Sequence, residues 1–243
     1  MHKATIPEEV RRRIIARRGR FEIFDRLDPT RTALLVIDMQ KAFLDEGAPI
    51  EVPLARGIIP NINRLATAAR SAGSAVVWLK MTAWEEDGAT SWPVFYEHFA
   101  TPEFGRRHLE ALTEGAPLHA IGHGLDVRRE DRIVMKTRFS AFIQGSSPVD
   151  ELLRERGVDT IVVAGTLTNR CCESSARDAM MLGYKVIFVE DANAAVSDEE
   201  HVAALINVAT AFGDVRTTDA VIRLLIRASP QAICAKSRRE TPG

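Results

Sequence analysis

The chain is short of cysteine, with three in 243 residues, an odd number. That count excludes a disulfide framework and points to a reducing compartment, where free thiols persist. It also lacks an excess of either charge: 32 basic residues stand against 33 acidic ones, for a net charge of −1. Nothing here attracts a polyanion, so no nucleic-acid partner is expected. No apolar run approaches the roughly 20 residues that a membrane helix needs. The opening stretch Met1-His2-Lys3-Ala4-Thr5-Ile6-Pro7 has no signal-peptide core. The expectation is a cytoplasmic protein with no membrane partner. A Gly-x-Gly-x-x-Gly turn is missing after the first apolar run, which argues against a dinucleotide enzyme. Cys171 and Cys172 are adjacent rather than spaced as Cys-x-x-Cys, and adjacent cysteines bridge only with strain, so a redox centre is disfavoured. There is no internal repeat and no low-complexity segment.

What is present is ordinary globular composition, 46% hydrophobic and 27% charged, on a chain long enough to bury a core unaided. Five short apolar runs recur: Ala33-Leu34-Leu35-Val36-Ile37, Ala75-Val76-Val77-Trp78-Leu79, Asp131-Arg132-Ile133-Val134-Met135, Thr160-Ile161-Val162-Val163-Ala164 and Lys185-Val186-Ile187-Phe188-Val189. Continuous rather than alternating, they suit strands buried on both faces of a parallel sheet. Helical patterns separate them. Residues 57–72 carry Ile58, Ile62, Leu65 and Ala69 at helical spacing before Gly73. Ser147-Pro148 reads as a cap and first helical position, and 171–182 runs to Gly183. Ser197-Asp198-Glu199-Glu200 is a capping box opening 198–212, and Thr217-Thr218-Asp219 opens a last helix. This alternation predicts an α/β fold: a single doubly wound domain with a mostly parallel sheet of about six strands and helices on both faces.

Three further segments stand apart. Residues 1–30 form a charged arm containing Arg11-Arg12-Arg13, expected to be a solvated helix face or to pack on a neighbouring subunit. The domain proper is 31–227, and 228–243 is a polar tail. The long insertion 81–130 is rich in aromatics, including Trp84, Trp92, Phe95, Tyr96, Phe99 and Phe104. It reads as a lid over substrate or as a subunit interface.

Ligands of doubly wound sheets bind at the carboxyl ends of the strands. Asp38 and Lys136 end two runs, and Cys171 lies just beyond a third. A thiol at the start of a helix meets free N–H groups and a partial positive charge, which favour the nucleophilic thiolate. Those N–H groups also suit an oxyanion. Asp38 is positioned to take the thiol proton and return it to a leaving amine, with Lys136 as its electrostatic partner.

The segments Ile37-Asp38-Met39-Gln40, Lys136-Thr137-Arg138-Phe139-Ser140-Ala141-Phe142 and Gly165-Thr166-Leu167-Thr168-Asn169-Arg170-Cys171-Cys172 together resemble the signatures of the isochorismatase-like cysteine hydrolases. The resemblance covers residues 32–226. It implies Asp38, Lys136 and Cys171 as the catalytic triad, with Cys172 turned into the core. It also implies a cis peptide at Thr166–Leu167, with the Leu167 and Cys171 N–H groups as oxyanion hole, and assembly as a homodimer or homotetramer. The stretch after the second run, Lys80-Met81-Thr82-Ala83-Trp84, lacks the histidines that bind metal in nicotinamidases, so no metal or other cofactor is expected; His119 and His123 are read as loop histidines. Isochorismatases need no cysteine nucleophile, so the intact triad favours cleavage of an amide-type C–N bond in a small ureido or carbamoyl compound. An isochorismatase- or nicotinamidase-type hydrolase, or a non-catalytic binding member, is the alternative. Candidate substrate contacts are Gln40, Phe43, Trp84, Arg138, Phe142 and Asn169. Arg138 suits a carboxylate or a structural ion pair, Phe43, Trp84 and Phe142 suit pocket walls or core, and Gln40 and Asn169 suit a urea-like group or local backbone.

Overall fold

A computed structural model describes residues 2–3 and 5–228; the tail from 229 on, with Cys234, lies outside the described residues. The chain forms one α/β domain around a six-stranded sheet in the order β5-β2-β1-β6-β7-β8, every pair parallel. The strands are β1 (Thr32–Ile37), β2 (Ala75–Met81), β5 (Arg132–Lys136), β6 (Thr160–Thr166), β7 (Lys185–Ala194) and β8 (Asp214–Arg216), while β3 (Glu85–Glu86) and β4 (Ala89–Thr90) make a small hairpin. The helices are α1 (Glu8–Arg18), α2 (Lys41–Leu44), α3 (Ile59–Ala72), α4 (Pro93–His98), α5 (Pro102–Leu112), α6 (Val149–Glu155), α7 (Glu173–Met181), α8 (Asp198–Asn207) and α9 (Thr218–Ala228).

The central strands are apolar throughout because both faces are covered. Leu34 and Val36 of β1, with Val76 and Trp78 of β2, join the core under α3 and α9. Their neighbours Ala33, Leu35, Ile37, Val77 and Leu79 join the opposite core under α6 and α7. The third apolar run departs from this pattern. β5 is an edge strand whose Ile133 and Met135 are exposed, so its apolar character does not signal burial on both faces.

Local chemistry explains most helix boundaries. The Ser197 hydroxyl accepts from the Glu200 N–H, as a capping box requires, but α8 gives way at Val208–Phe212 to a wider π turn. Ser147 accepts from the Val149 N–H, so α6 starts one residue later than its proline suggested. Part of the segment 57–72 also differs, since Pro53–Ile58 forms a 3-10 turn and α3 opens only at Ile59.

The strand absent from the apolar pattern is β8. It is held by buried charge: the Asp214 carboxylate accepts from the Ile23 and Phe24 N–H groups, and Arg216 binds Glu22, the Phe24 carbonyl and Asp214. These bonds fasten the first 30 residues to the domain. Ile6, Ile14 and Phe21 are buried in its core, so the segment packs on the domain along one side, while Glu8, Glu9, Arg12 and Arg13 of α1 form the exposed charged face that was expected. Two other arginines of the segment serve the docking, with Arg11 over the Phe21 ring and Arg18 donating to the Phe21 carbonyl.

Gly165 near the end of β6 has φ 126°, and a Cβ there would lie 2.1 Å from the Ile37 carbonyl oxygen. The site strands therefore approach more closely than any side chain permits. Gly165→Ala is expected to lower stability by about 3 kcal/mol or more, read from urea denaturation, since neither backbone can yield.

Candidate active site

Three strand ends converge on one point. Asp38 follows β1 directly, in a left-handed conformation with φ 51° that aspartate tolerates better than most residues. Lys136 is the last residue of β5, in register with Met81 of β2. Cys171 lies beyond β6 in a π turn, Thr168–Cys172, that leads into α7. The helical segment thus begins three residues before Cys171, not at it. The Thr166–Leu167 peptide is cis, as the resemblance implied. Thr168 anchors the turn through a 2.9 Å bond with His201, whose ring stacks on His2 at 4.0 Å. Neither histidine carried any sequence signal, because the contact spans the whole chain.

Lys136 Nζ lies 2.8 Å from Asp38 Oδ2, both side chains fully buried. Nζ also donates to the Arg138 carbonyl at 3.0 Å. The Cys171 thiol lies beside both, near enough to act electrostatically on each. At an effective dielectric of 20 the ion pair is worth about 6 kcal/mol. Desolvation of two ions is of similar size, so the pair nets little, while removal of either member strands a buried charge.

Burial pushes the Asp38 carboxyl above its ordinary range, against the pull of Lys136 and the thiol. Burial works to depress Lys136, but the charge of Asp38 raises it, so the ammonium is retained. Burial and the charge of Asp38 push the Cys171 thiol up to about 12, and Lys136 offsets only part of this. The expectation that a helix end would lower this thiol is therefore corrected: desolvation and the charge of Asp38 outweigh Lys136, and the thiol is raised. The resting group is a thiol, poised beside a carboxylate with raised proton affinity.

Cys171 opens into a cavity of about 180 Å³ with mostly apolar walls. Phe43, among the residues anticipated as substrate contacts, lines it; Phe95, Phe104 and His108 of the insertion, with Phe139, supply much of the rest. Several anticipated contacts lie elsewhere. Gln40 is fully buried and spends its amide on the Met81 backbone and the His119 carbonyl. Arg138 donates to the Ser91 and Thr137 carbonyls and packs over Trp92, outside this cavity. Trp84 is 46% exposed on the surface. Phe142 is core, against Tyr184. Asn169 lies in the turn but not in the cavity wall, and its buried Oδ1 has no partner among the described residues. Cys172 is fully buried in the core and does not reach the cavity. His119 is buried with Nε2 2.9 Å from Thr82 Oγ1, and burial lowers it to about 4. Arg170 is the guanidinium that does line the cavity. Its place beside the cysteine is the one signal it carries in the sequence.

A family model for the isochorismatase domain matches residues 32–220. The chain belongs to this family of hydrolases. Among its relatives is a ureidoacrylate amidohydrolase RutB of Klebsiella pneumoniae, 31% identical over 86% of this chain and 93% of that protein. The corresponding protein of Agrobacterium fabrum is 33% identical over 84% and 94%. A cysteine hydrolase of Pseudomonas syringae pv. phaseolicola superposes with a TM-score of 0.74 at 33% identity, covering 83% of this chain and 95% of that one. An N-carbamoylsarcosine amidase of Thermoplasma acidophilum shares the fold, with a TM-score of 0.62 at 22% identity.

Lys136→Ala is expected to cost about 3 kcal/mol in urea unfolding, because it leaves Asp38 charged and unpaired, and Asp38→Asn in the same protein should recover most of that loss.

Proposed function

We propose that this isochorismatase-family enzyme hydrolyses an amide-type C–N bond in a small ureido or carbamoyl compound through a thioester on Cys171. The observation that carries the reading is the buried Asp38–Lys136 pair beside a thiol that lines an apolar cavity. The relatives named as ureidoacrylate amidohydrolases support the substrate class.

In this reading Asp38 takes the Cys171 proton as the sulfur attacks the substrate carbonyl. Proton and charge move together, because a free thiolate is costly at this depth. Lys136 remains charged and offsets the negative charge that moves between Asp38 and sulfur. The Leu167 and Cys171 N–H groups receive the oxyanion. Asp38 returns the proton to the leaving nitrogen, the C–N bond breaks, and ammonia or an amine departs. Asp38 then takes a proton from water as its oxygen attacks the thioester, and gives that proton to the departing sulfur. The acid is released and the resting thiol is restored. Arg170 at the cavity wall suits a substrate carboxylate, the role once considered for Arg138.

The deciding experiment is ammonia release from a panel of ureides, carbamoyl amino acids, biuret, triuret and simple amides. Wild type should turn over a ureido or carbamoyl member. Cys171→Ala should lose at least about a thousandfold in kcat, while Cys172→Ala should stay within about threefold. No release from any member, or retained turnover in Cys171→Ala, sinks the reading.

The pH dependence has a defined sign. Asp38 must be ionised to accept the thiol proton, and burial raises its pKa. Activity should therefore fall as pH drops, along a limb lying above the usual carboxylate range. A profile of kcat/KM flat down to the ordinary aspartate value would contradict this.

A further inference from the structure

The cavity wall carries one polar ring that the chemistry above does not use. His108 of α5 is 6% exposed and lines the same cavity as Cys171. Phe95 and Phe104, also in the wall, lie against its ring at 5.2 and 5.9 Å. Its Nδ1 is 2.9 Å from the Tyr96 hydroxyl. Of the other polar groups in the wall, Glu51 is engaged by the Gly47 N–H and Arg56, and Arg170 is exposed.

The direction of this bond follows from its chemistry. A phenol is a better donor than a neutral imidazole N–H, and an imidazole nitrogen is a better acceptor than a phenol oxygen. Tyr96 therefore donates to Nδ1. The ring proton is left on Nε2, which has no partner among the described residues.

Resting on the ureide reading above, we propose that His108 is a specificity residue: the Tyr96 hydroxyl sets its Nε2–H tautomer, and Nε2–H donates to an acceptor oxygen of the substrate outside the scissile group. Tyr96 is the positioning residue. The cavity thereby gains one directed donor among aromatic walls, the arrangement small-molecule sites use for orientation. Burial lowers the ring to about 4, so it enters the cavity uncharged and needs no counter-ion. A substrate with an oxygen beyond its ureido group, such as a ureido acid, gains from this donor. An alkylurea of the same length does not.

The test compares 3-ureidopropionate with n-propylurea on wild type, His108→Phe, His108→Gln and Tyr96→Phe. Steady-state KM and kcat are measured, with competitive Ki for any compound not turned over. His108→Phe should raise KM for 3-ureidopropionate about tenfold or more, the size of one lost hydrogen bond to a charged oxygen, and leave n-propylurea within about twofold. His108→Gln, which keeps an N–H donor, should recover part of the loss. Nitrogen NMR of the imidazole should find the proton on Nε2 in wild type and a tautomer mixture in Tyr96→Phe. Equal losses for both ureas would mark a structural role and overturn the inference, as would an unchanged KM or a proton on Nδ1. Wild type inert towards every ureide overturns the functional reading and this inference with it. Turnover of ureides with His108→Phe unaffected overturns this inference alone.

Discussion

The ion pair between Asp38 and Lys136 is the constraint around which the site is built. Two full charges 2.8 Å apart, with no solvent exposure, hold together only if their strand ends stay in register. The backbone supplies that register. β1 lies between β2 and β6, and the lysine reaches across the end of β2 from the edge strand β5. Gly165, with no side chain, lets β6 close against β1 and so carries the cysteine turn up to the pair. The same burial that makes the pair costly raises the proton affinity of both Asp38 and the thiol. Proton transfer between them then moves charge without exposing it.

The insertion between β2 and β5 converts this cluster into a cavity, and the polar residues of the strand-end motifs hold it in place. Gln40 ties the entry of the insertion at Met81 to His119 further along it, using both ends of one amide. Arg138 holds the Ser91 carbonyl, and Trp92 packs on Phe139. These side chains look like substrate ligands from the sequence. Inside the fold they are fasteners, because buried backbone carbonyls of a long excursion need donors. With Gln40 and Arg138 so occupied, Phe95, Phe104 and His108 reach the cavity from the excursion itself.

Legibility followed the range of the interactions. Strands β1, β2, β6 and the first half of β7 were readable because complete burial leaves a continuous apolar record. The second half of β7 was not: Asn193 bridges an irregular register by donating to the Val163 and Val189 carbonyls, and no periodicity announces that. β8 was missed for a related reason, since its buried Asp214 and Arg216 read as surface charge until their partners at Glu22, Ile23 and Phe24 are in place.

By itself the sequence determined the fold class and the position of Asp38, Lys136 and Cys171 at or just beyond strand ends, and the resemblance of its motifs implied Cys171 rather than Cys172 as the nucleophile. Each depends on local pattern or on short spacing from a turn. Tertiary structure decided which residues form the cavity wall, that the first 30 residues belong to the domain, and that the thiol is raised rather than lowered. Those outcomes depend on how completely water is excluded and on which distant backbone groups need partners. Neither quantity exists until the sheet, the insertion and the N-terminal segment are packed together.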